Sequence, residues 1–436
     1  AQQGPKTLEA IQNRNCGWLY EANPDNFKKI PGSPVAYWSK DSIYKAFSIG
    51  TPLRSIGKPV VGLQTGENAR FVRTWQEVSI EKTGFGMSSR HEAKKSEKKW
   101  FPYNKGGDFC RWYGNQEFVV DWEVDGSRIK DFTYDNGSPR AYCRNMDFYF
   151  KNSVSWSKIS SSLPAFRFYP NGFIFDVAGT SIFPNDPETL FLLIGFCNSR
   201  VATAILKTLS PTLNFEVGHI GSLPILDMES RNIANNSKDL IDIAKSDWDA
   251  YETSWDFSKP DLLSSPSSQL SLDEAYLYIR DQWREMTKKM HRIEEENNLL
   301  FIEAYGLQGE LSPEVLQKEI TLTCNPHYRY GGSRSKEERE TLLQGDTIKE
   351  LVSYTIGCMM GRYSLDKPGL ILASQGEPIR NYLAQIPEPS FAPDENAIIP
   401  LTDQEWFPDD ATNRFRDFVR TVWGEEHLQE NLDFVA

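Results

Sequence analysis

The stretch spanning residues 98–123, KKWFPYNKGGDFCRWYGNQEFVVDWE, constrains the fold more than any other part of the chain. It interleaves cations with aromatic residues around a Gly106-Gly107 turn, and it ends in FVVDWE, whose alternation is typical of a strand. The interleaved residues are Lys98, Lys99, Trp100, Phe101, Tyr103, Lys105, Phe109, Arg111, Trp112 and Tyr113. Cations beside exposed aromatic rings suit a polyanion that carries flat bases. A well-packed core hairpin rimmed by solvated lysines explains the same pattern equally well.

Longer motifs around this stretch point to one family. Residues 61–75, VGLQTGENARFVRTW, and residues 99–107, KWFPYNKGG, resemble the target-recognition region of PglX, the adenine-specific DNA methyltransferases of the BREX phage-defence systems. Shorter motifs of the same family follow at residues 182–184, 211–215, 223–225, 356–366 and 430–433. The resemblance therefore covers most of the chain.

The resemblance implies DNA sequence recognition for site-specific adenine-N6 methylation, with recognition rather than catalysis in this chain. It implies double-stranded DNA as the partner and a catalytic domain upstream that flips the adenine. S-adenosylmethionine is implied for the full-length enzyme, and no cofactor is expected in this chain. Other BREX components are implied as partners. Capture by phage DNA-mimic inhibitors is implied as well, because an acidic surrogate competes for the same cations.

The charge of the chain is distributed unevenly. A net charge of -12 argues at first against a nucleic-acid partner, because phosphate binding requires a positive surface. However, residues 1–228 contain 27 Lys and Arg against 22 Asp and Glu, a net charge of +5, whereas residues 229–436 contain 21 against 38, a net charge of -17. This asymmetry indicates that the first half meets a polyanion and the second half does not.

Size and composition limit the class of protein. The chain has 436 residues, of which 39% are hydrophobic, and this is enough for at least two domains. It contains no run of about 18 apolar residues, so no membrane span is expected. Its six cysteines are scattered without paired spacing, which favours reduced thiols in a cytoplasmic protein over a disulfide framework.

The order of strand-like and helix-like segments predicts the fold class. We expect an α/β (α+β) target-recognition domain followed by a helical hairpin spacer and a mostly helical C-terminal lobe. The predicted bounds are residues 1–57 for a junction from an upstream catalytic domain, 58–228 for the DNA-recognition domain, 229–310 for the spacer and 311–436 for the lobe.

Two long helices are expected in the spacer. They should cover residues 233–251 and 271–305 and pack as an antiparallel hairpin that spaces the domains. Ser271, followed three residues later by Glu274, predicts a capping box at the start of the second helix. The Pro/Ser-rich residues 259–268 indicate the linker between them.

Shorter elements are predicted in the first half. Residues 39–47 should form a short helix capped by Ser39 or Asp41. Residues 166–184 should form a strand pair closed at Asn171-Gly172.

Helical patterns continue on both sides of that strand pair. One helix is predicted from about residue 186 to residue 208, ended by Pro211. An earlier helix would project Arg70 and Arg73 from one face, where they could contact phosphate or guanine. An exposed helix with ion pairs, such as Arg73 with Glu77, is the alternative.

Cations, amides and aromatic rings in the first half are the candidates for DNA contact. The cations are expected on phosphate or guanine and the amides on adenine. The candidates are Arg70, Arg73, Lys98, Lys99, Tyr103, Asn104, Lys105, Arg111, Trp112 and Gln116.

No complete catalytic motif occurs in the sequence. Asn325-Pro326-His327-Tyr328 approaches the Asn/Asp-Pro-Pro-Tyr/Phe loop that grips a flipped adenine, but His327 replaces the second proline. Cys324 and His327 have the spacing of half a zinc site, but no second Cys or His pair lies near in sequence. We therefore predict neither a catalytic residue nor a metal site.

Two other functions fit the same pattern. One is the recognition domain of a single-chain restriction-modification enzyme, in which a nuclease shares the polypeptide. The other is a non-catalytic carbohydrate-binding module that stacks sugars on Trp100, Trp112 and Trp122. Salt separates the latter from DNA binding, because DNA affinity falls steeply with salt whereas sugar stacking barely responds.

Overall fold

The computed structural model describes residues 3–19, 21–159, 163–210, 214–228, 231–264, 271–404 and 406–436. It mixes helices with strands, as the sequence predicts. The strands are β1 (Thr51–Pro52), β2 (Gly57–Val60), β3 (Leu63–Gln64), β4 (Val72–Thr74), β5 (Trp100–Asn104), β6 (Phe118–Asp121), β7 (Tyr142–Cys143), β8 (Ser153–Ser157), β9 (Phe166–Tyr169), β10 (Ile174–Phe175), β11 (Gly179–Pro184) and β12 (Pro224–Ile225). The helices are α1 (Gln3–Gln12), α2 (Pro24–Phe27), α3 (Asp41–Ile49), α4 (Leu53–Ile56), α5 (Asn68–Phe71), α6 (Arg90–Lys95), α7 (Glu123–Lys130), α8 (Leu190–Cys197), α9 (Arg200–Leu209), α10 (Val217–Gly221), α11 (Arg231–Asp249), α12 (Leu272–Ala304), α13 (Pro326–Arg329), α14 (Lys336–Met359), α15 (Ile379–Gln385), α16 (Ala411–Trp423) and α17 (Leu428–Val435).

Two four-stranded sheets dominate the first half of the chain. One has the order β10-β5-β6-β4, in which β5 runs antiparallel to β6 and parallel to β10. The other has the order β2-β11-β8-β9 and is antiparallel throughout. Strand β6, FVVD, favours a sheet because phenylalanine and β-branched valine pack well on a pleated surface.

An aromatic core fills the space around the first sheet. Phe101 and Phe150 meet edge to face with ring centroids 5.7 Å apart, and Trp122 meets Tyr149 at 5.3 Å. Such edge-to-face pairs contribute roughly 0.5–1.5 kcal/mol beyond the area they bury. Much of the aromatic content of residues 98–123 therefore lies inside the protein.

A larger core joins the second sheet to the helices. It forms one continuous cluster that includes residues as far apart in sequence as Ile43 and Leu428. Helix α8 packs against strands β8 and β9 on one side and against α11 on the other. The second half of the chain therefore completes the core that the second sheet begins.

Helices α11 and α12 form the antiparallel pair that the sequence predicts. Asn236, near the start of α11, donates to Asn297, near the end of α12, at 3.2 Å. The capping box of Ser271 and Glu274 is confirmed, with both reciprocal hydrogen bonds present. The pair packs into the main core instead of standing apart as a spacer, because α12 buries 14 of its residues. Of the predicted linker, residues 265–268 lie outside the described residues.

Two predicted helices differ in detail. The first begins at Asp41 with Lys40 as its N-cap, and no side-chain hydrogen bond caps it. The helix predicted over residues 186–208 is broken into a 3₁₀ turn, α8 and α9, with a bend of 75° between the two parts. The bend has a physical cause, because Ser199 accepts a hydrogen bond from the backbone of Ala202 and starts a new helix. Pro211, predicted to end the helix, lies outside the described residues.

The strand pair predicted over residues 166–184 is wrong. Strand β9 pairs with β8, whereas β10 pairs with β5 of the other sheet, so the strands flanking Asn171-Gly172 do not pair with each other. Gly172 has φ of +109°, and a Cβ there would lie 3.0 Å from the backbone nitrogen of Gly86. The turn is real, but it transfers the chain between two sheets.

The described residues contain no single helix that is long and apolar enough to cross a membrane. The bent pair Pro187–Cys197 and Arg200–Leu209 meets the length and composition criteria only when its two parts are taken together.

Candidate nucleic-acid interface

Arg111 and Trp112 were predicted to contact DNA, but both are buried against helix α12. A guanidinium nitrogen of Arg111 lies 3.0 Å from the Glu294 carboxylate, and Trp112 Nε1 donates to the same group at 2.6 Å. Arg111 also donates to the carbonyl of Glu319 at 2.5 Å. Burial raises the pKa of the Glu294 carboxyl above its ordinary value, although Arg111 and Trp112 oppose that shift. A duplex cannot reach either side chain in this structure.

Tyr103 and Asn104 are also interior residues. The Tyr103 hydroxyl donates to the Asp176 carboxylate, and burial raises the pKa of Tyr103 well above its usual range. Asn104 Nδ2 donates to Ser155 Oγ at 2.6 Å and to the carbonyl of Gly179 at 3.0 Å. The Asn104 bonds join the two sheets, and both side chains are fully buried.

Lys105 and Gln116 are likewise engaged within the protein. Lys105 is half-buried and pairs with Asp176 at 2.8 Å. Gln116 is 1% exposed and donates to the carbonyl of Phe168 at 3.4 Å. With Tyr103, Asn104, Arg111 and Trp112, these residues hold the two sheets and α12 together instead of forming a surface.

Four of the predicted contacts lie at or near the surface. Arg70 is exposed, and Arg73, Lys98 and Lys99 are half-buried. The Lys98 ammonium donates to the carbonyl of Glu81. Arg70 and Arg73 do not share a helix face as predicted, because α5 ends at Phe71 and Arg73 belongs to β4.

Arg73 nevertheless reaches back towards Arg70. Its Nη1 donates to the carbonyls of Ala69 at 2.6 Å and of Val72 at 2.7 Å. This fixes the guanidinium beside the short helix α5 by hydrogen bonds to the backbone.

Cations lie close to two aromatic rings in this part of the molecule, the half-buried Trp100 and the buried Phe132. Lys99 and Arg73 lie 5.3 Å and 6.0 Å from the Trp100 ring. Arg70 and Arg140 lie 4.8 Å and 4.4 Å from the Phe132 ring. Each distance is within the range of a cation–π interaction, about 6 Å. We call Lys99, Trp100, Arg73, Arg70, Phe132 and Arg140 the cation–aromatic track.

A projecting hairpin extends the track. Residues 132–140 fold back on themselves through reciprocal backbone bonds, in which Arg140 N donates to Phe132 O and Tyr134 N donates to Ser138 O, both at 2.9 Å. Asn136-Gly137 forms its tip, with Gly137 at φ of +80°. Residues 133–139 are all exposed, and Tyr134 retains 55% of its surface accessible. We call this element the 132–140 hairpin.

A close backbone approach holds the hairpin against the loop before α5. Gly66 has φ of +76°, and a Cβ there would lie 2.5 Å from the carbonyl oxygen of Arg140. Glycine is therefore required at this position on both steric and conformational grounds. The motif LQTGENARF thus places Arg70 beside Phe132 and Arg140.

Acidic groups also lie on this surface. Glu67 is 3.9 Å from Arg140, Asp135 is exposed on the hairpin, and the exposed Asp131 immediately precedes it. The hairpin therefore carries no large excess of positive charge. Additional attraction for phosphate would come from exposed lysines nearby, Lys94 and Lys95 on α6, which packs against α7.

The hairpin residues are not among the contacts predicted from the sequence. Phe132, Tyr134 and Arg140 lie outside the charged stretch of residues 98–123, and Asn136-Gly137 indicated only a turn. A usable signal was present in YDNGSPR, a tight turn flanked by an aromatic residue and a cation.

The motif that approaches a catalytic loop has a structural role. Asn325 is 1% exposed and caps α13 by accepting from the backbone of His327 at 3.1 Å. Its Nδ2 donates to the carbonyls of Gln317 and Ile320, both at 2.8 Å. Asn325 is thus committed to local backbone groups. Among the described residues, no group of three or more His, Cys, Asp and Glu side chains could hold a metal ion.

The aromatic rings do not form a platform for sugar stacking. Trp112 and Trp122 are 2% and 1% exposed, and only Trp100 of the three is half-buried. This burial argues against the carbohydrate-binding alternative, which requires exposed ring faces.

Comparison with known proteins identifies two relatives. No family model matches the chain. The adenine-specific methyltransferase PglX of Lacticaseibacillus casei (strain Zhang) is 36% identical over 436 residues, which are 98% of this chain and 34% of that protein. The adenine-specific methyltransferase BrxX of Escherichia coli O9:H4 (strain HS) is 36% identical over 439 residues, 99% of this chain and 34% of that protein. The resemblance to PglX is confirmed, and the chain spans about one third of the length of these curated relatives.

Proposed function

This chain is similar over almost its whole length to part of the PglX-type adenine-specific methyltransferases, and we propose that it supplies DNA recognition to such an enzyme. Double-stranded DNA is the partner, and the remaining part of the enzyme binds S-adenosylmethionine and methylates adenine. Other BREX components are further partners of the whole protein. Phage DNA-mimic inhibitors would compete for the same surface.

The cation–aromatic track is the observation that supports this proposal most directly. A guanidinium stacked on a ring keeps its N–H edges directed away from that ring. Two such groups, Arg70 and Arg140, lie 4.8 Å and 4.4 Å from the Phe132 ring, and this contact holds their donors in place at little conformational cost. Donors of this geometry suit phosphate oxygens and the O6 and N7 acceptors of guanine.

The 132–140 hairpin supplies the groups that would distinguish bases. A two-stranded ribbon fits into the major groove of B-form DNA. At its tip the exposed Asn136 accepts at Oδ1 from the backbone and hydroxyl of Ser138, which leaves its Nδ2 to donate to a base acceptor, and Tyr134 provides an exposed ring. Phosphate contacts by the track would position this ribbon, while hairpin contacts would read sequence.

The test measures binding of duplex DNA by fluorescence anisotropy between about 50 and 200 mM salt. We expect Arg70→Ala and Arg140→Ala to weaken binding and, if each contacts one phosphate, to reduce the salt slope by about one each. If either reads guanine instead, discrimination at one position should fall by about 1–3 kcal/mol.

Lys151→Ala is the matched control. Lys151 is exposed and lies 5.4 Å from the Phe148 ring, so its removal also deletes a cation–π contact, but its described contacts include no residue of the track. Equal effects of all three variants, or unchanged affinity and site preference in both arginine variants, would contradict the proposal. Cleavage of DNA by the full-length polypeptide would instead favour a single-chain restriction-modification enzyme.

A further inference from the structure

A cavity of about 410 Å³ lies in the helical part of the molecule, and no residue of the cation–aromatic track lines it. It is enclosed by the end of α11 and the following turn, by α12, and by residues of α13 and α14. Its size is within the range of small-molecule sites, about 300–1,000 Å³. Four aromatic residues line it: Trp248, Tyr251, Phe257 and Trp283.

An acceptor lines the cavity. Trp283 Nε1 donates to Asp261 at 2.8 Å, and among the described residues this is the hydrogen bond that the Asp261 carboxylate receives. Burial raises the pKa of the Asp261 carboxyl above its ordinary value. A carboxylate oxygen can accept more than one hydrogen bond, so acceptor capacity remains for a guest.

A donor lines the cavity as well. Arg329 binds Glu350 at 2.8 Å through Nη2, and it lies 3.4 Å from Asp346. Its Nη1 is buried and has no hydrogen-bond partner among the described residues. An N–H buried without a partner is unfavourable, so the guanidinium gains by turning it towards an acceptor on a guest.

We propose that this cavity binds a nucleobase or nucleoside. A nitrogen heterocycle has flat faces for the aromatic walls, an N–H or amino group for Asp261 and a ring nitrogen or carbonyl for Arg329. A quaternary ammonium ion fits less well, because it has no N–H for Asp261 and no acceptor for Arg329. An aliphatic guest would leave the polar groups of both residues without partners.

The test titrates the 436-residue chain separately with adenosine, guanosine, cytidine and thymidine, using tryptophan fluorescence and isothermal calorimetry, with choline as a comparison. We expect at least one nucleoside to bind saturably at one site. Asp261→Asn should weaken that nucleoside about tenfold, because a charge-assisted hydrogen bond is roughly twice as strong as a neutral one. The asparagine oxygen still accepts from Trp283 Nε1, so Trp283 keeps its place in the cavity lining.

Asp281→Asn is the matched control, because it removes the same charge from an exposed carboxylate. In the described structure Asp281 is paired only with Arg284, so this variant should leave nucleoside binding unchanged. Ile279→Phe, which fills the cavity, should abolish binding while the circular dichroism spectrum stays native. The proposal is overturned if no nucleoside saturates the protein at about 10 mM, if choline alone binds, or if the two Asp→Asn variants behave alike.

Discussion

Arg111 shows how burial changes the role of a cation. Its guanidinium is 3.0 Å from Glu294 inside the core, and its own side chain is 6% exposed. Arg111→Ala would leave a buried carboxylate without its main counter-charge, and breaking such a pair costs about 3–5 kcal/mol. We therefore expect a loss of this size in the free energy of unfolding, measured with urea, rather than a selective loss of DNA discrimination.

A double variant separates this electrostatic cause from a loss of packing. Glu294→Gln keeps an acceptor for Trp112, and Arg111→Met keeps most of the side-chain volume. Together they remove both charges, so we expect them to recover more than half of the stability lost in Arg111→Ala. An Arg111→Ala protein as stable as the parent, with relaxed site preference, would contradict this account and restore Arg111 as a reader of bases.

For single residues, the sequence pattern shows which cations lie next to aromatic residues but not which of them are exposed in the fold. Arg111 and Arg70 are both arginines next to aromatic residues, yet one is buried and the other exposed. The difference comes from Glu294, a carboxylate that is distant in sequence from residues 98–123 and meets Arg111 only on folding, as Asp176 meets Lys105. The grouping of Phe132, Arg140 and Arg70 was missed for the same reason, because Arg70 comes close to Phe132 only in the folded protein.

Among the elements, helices α12 and α14 are joined by a paired salt bridge. Arg280 donates to Glu340 through two bonds of 2.7 Å, and Arg280 is 5% exposed. The hydrogen bonds from Arg280 hold the pKa of Glu340 below its ordinary value. A carboxyl with a depressed pKa stabilises the fold above its unfolded pKa, about 4.3, and the contribution is lost as pH falls through the lower folded value.

Glu340→Gln tests this linkage. We expect it to lower the free energy of unfolding by about 2–3 kcal/mol at pH 7, because a charged hydrogen-bonding partner of a buried guanidinium is removed. The difference from the parent should shrink as pH falls below the unfolded pKa, about 4.3, and vanish below the lower folded pKa, where the parent carboxyl is neutral too. Glu285→Gln on α12 is the control, since its exposed pair with Lys288 should contribute less than about 1 kcal/mol. A stability difference that does not change with pH would show that the salt bridge is not the cause.

The elements that could be predicted are those with local signals. The capping box at Ser271 needs only residues three apart, and the apolar periodicity of α12 extends over 33 residues. The break between α8 and α9 was missed because LFLLIGFC is apolar on every face and gives no period to follow. The exchange of β9 and β10 between sheets was missed because pairing partners are chosen by tertiary packing, which a turn motif does not encode.

At the scale of the whole molecule, the two halves share one core. The main cluster contains Trp112 and Trp156 from the sheets together with Ile279 and Ile293 from α12. The turn after α11 also bonds to the residue that follows strand β4 of the first sheet. Trp75 Nε1 donates to the carbonyl of Thr253 at 2.9 Å. The boundary after residue 228 stays a prediction, and these contacts indicate that it does not separate two independently folded units.

Dividing the chain at that boundary is therefore informative. We expect the 436-residue chain to unfold in one cooperative transition. Residues 58–228 alone should lack a cooperative transition, because removing α11 and α12 exposes Trp112 and the face of α8 that packs on α11. Mixing this fragment with residues 229–436 should restore the transition, since the buried apolar surface is then recovered. If residues 58–228 instead unfold cooperatively at nearly the same temperature as the full chain, the recognition domain is autonomous, and the charge asymmetry between the halves reflects two separate bodies.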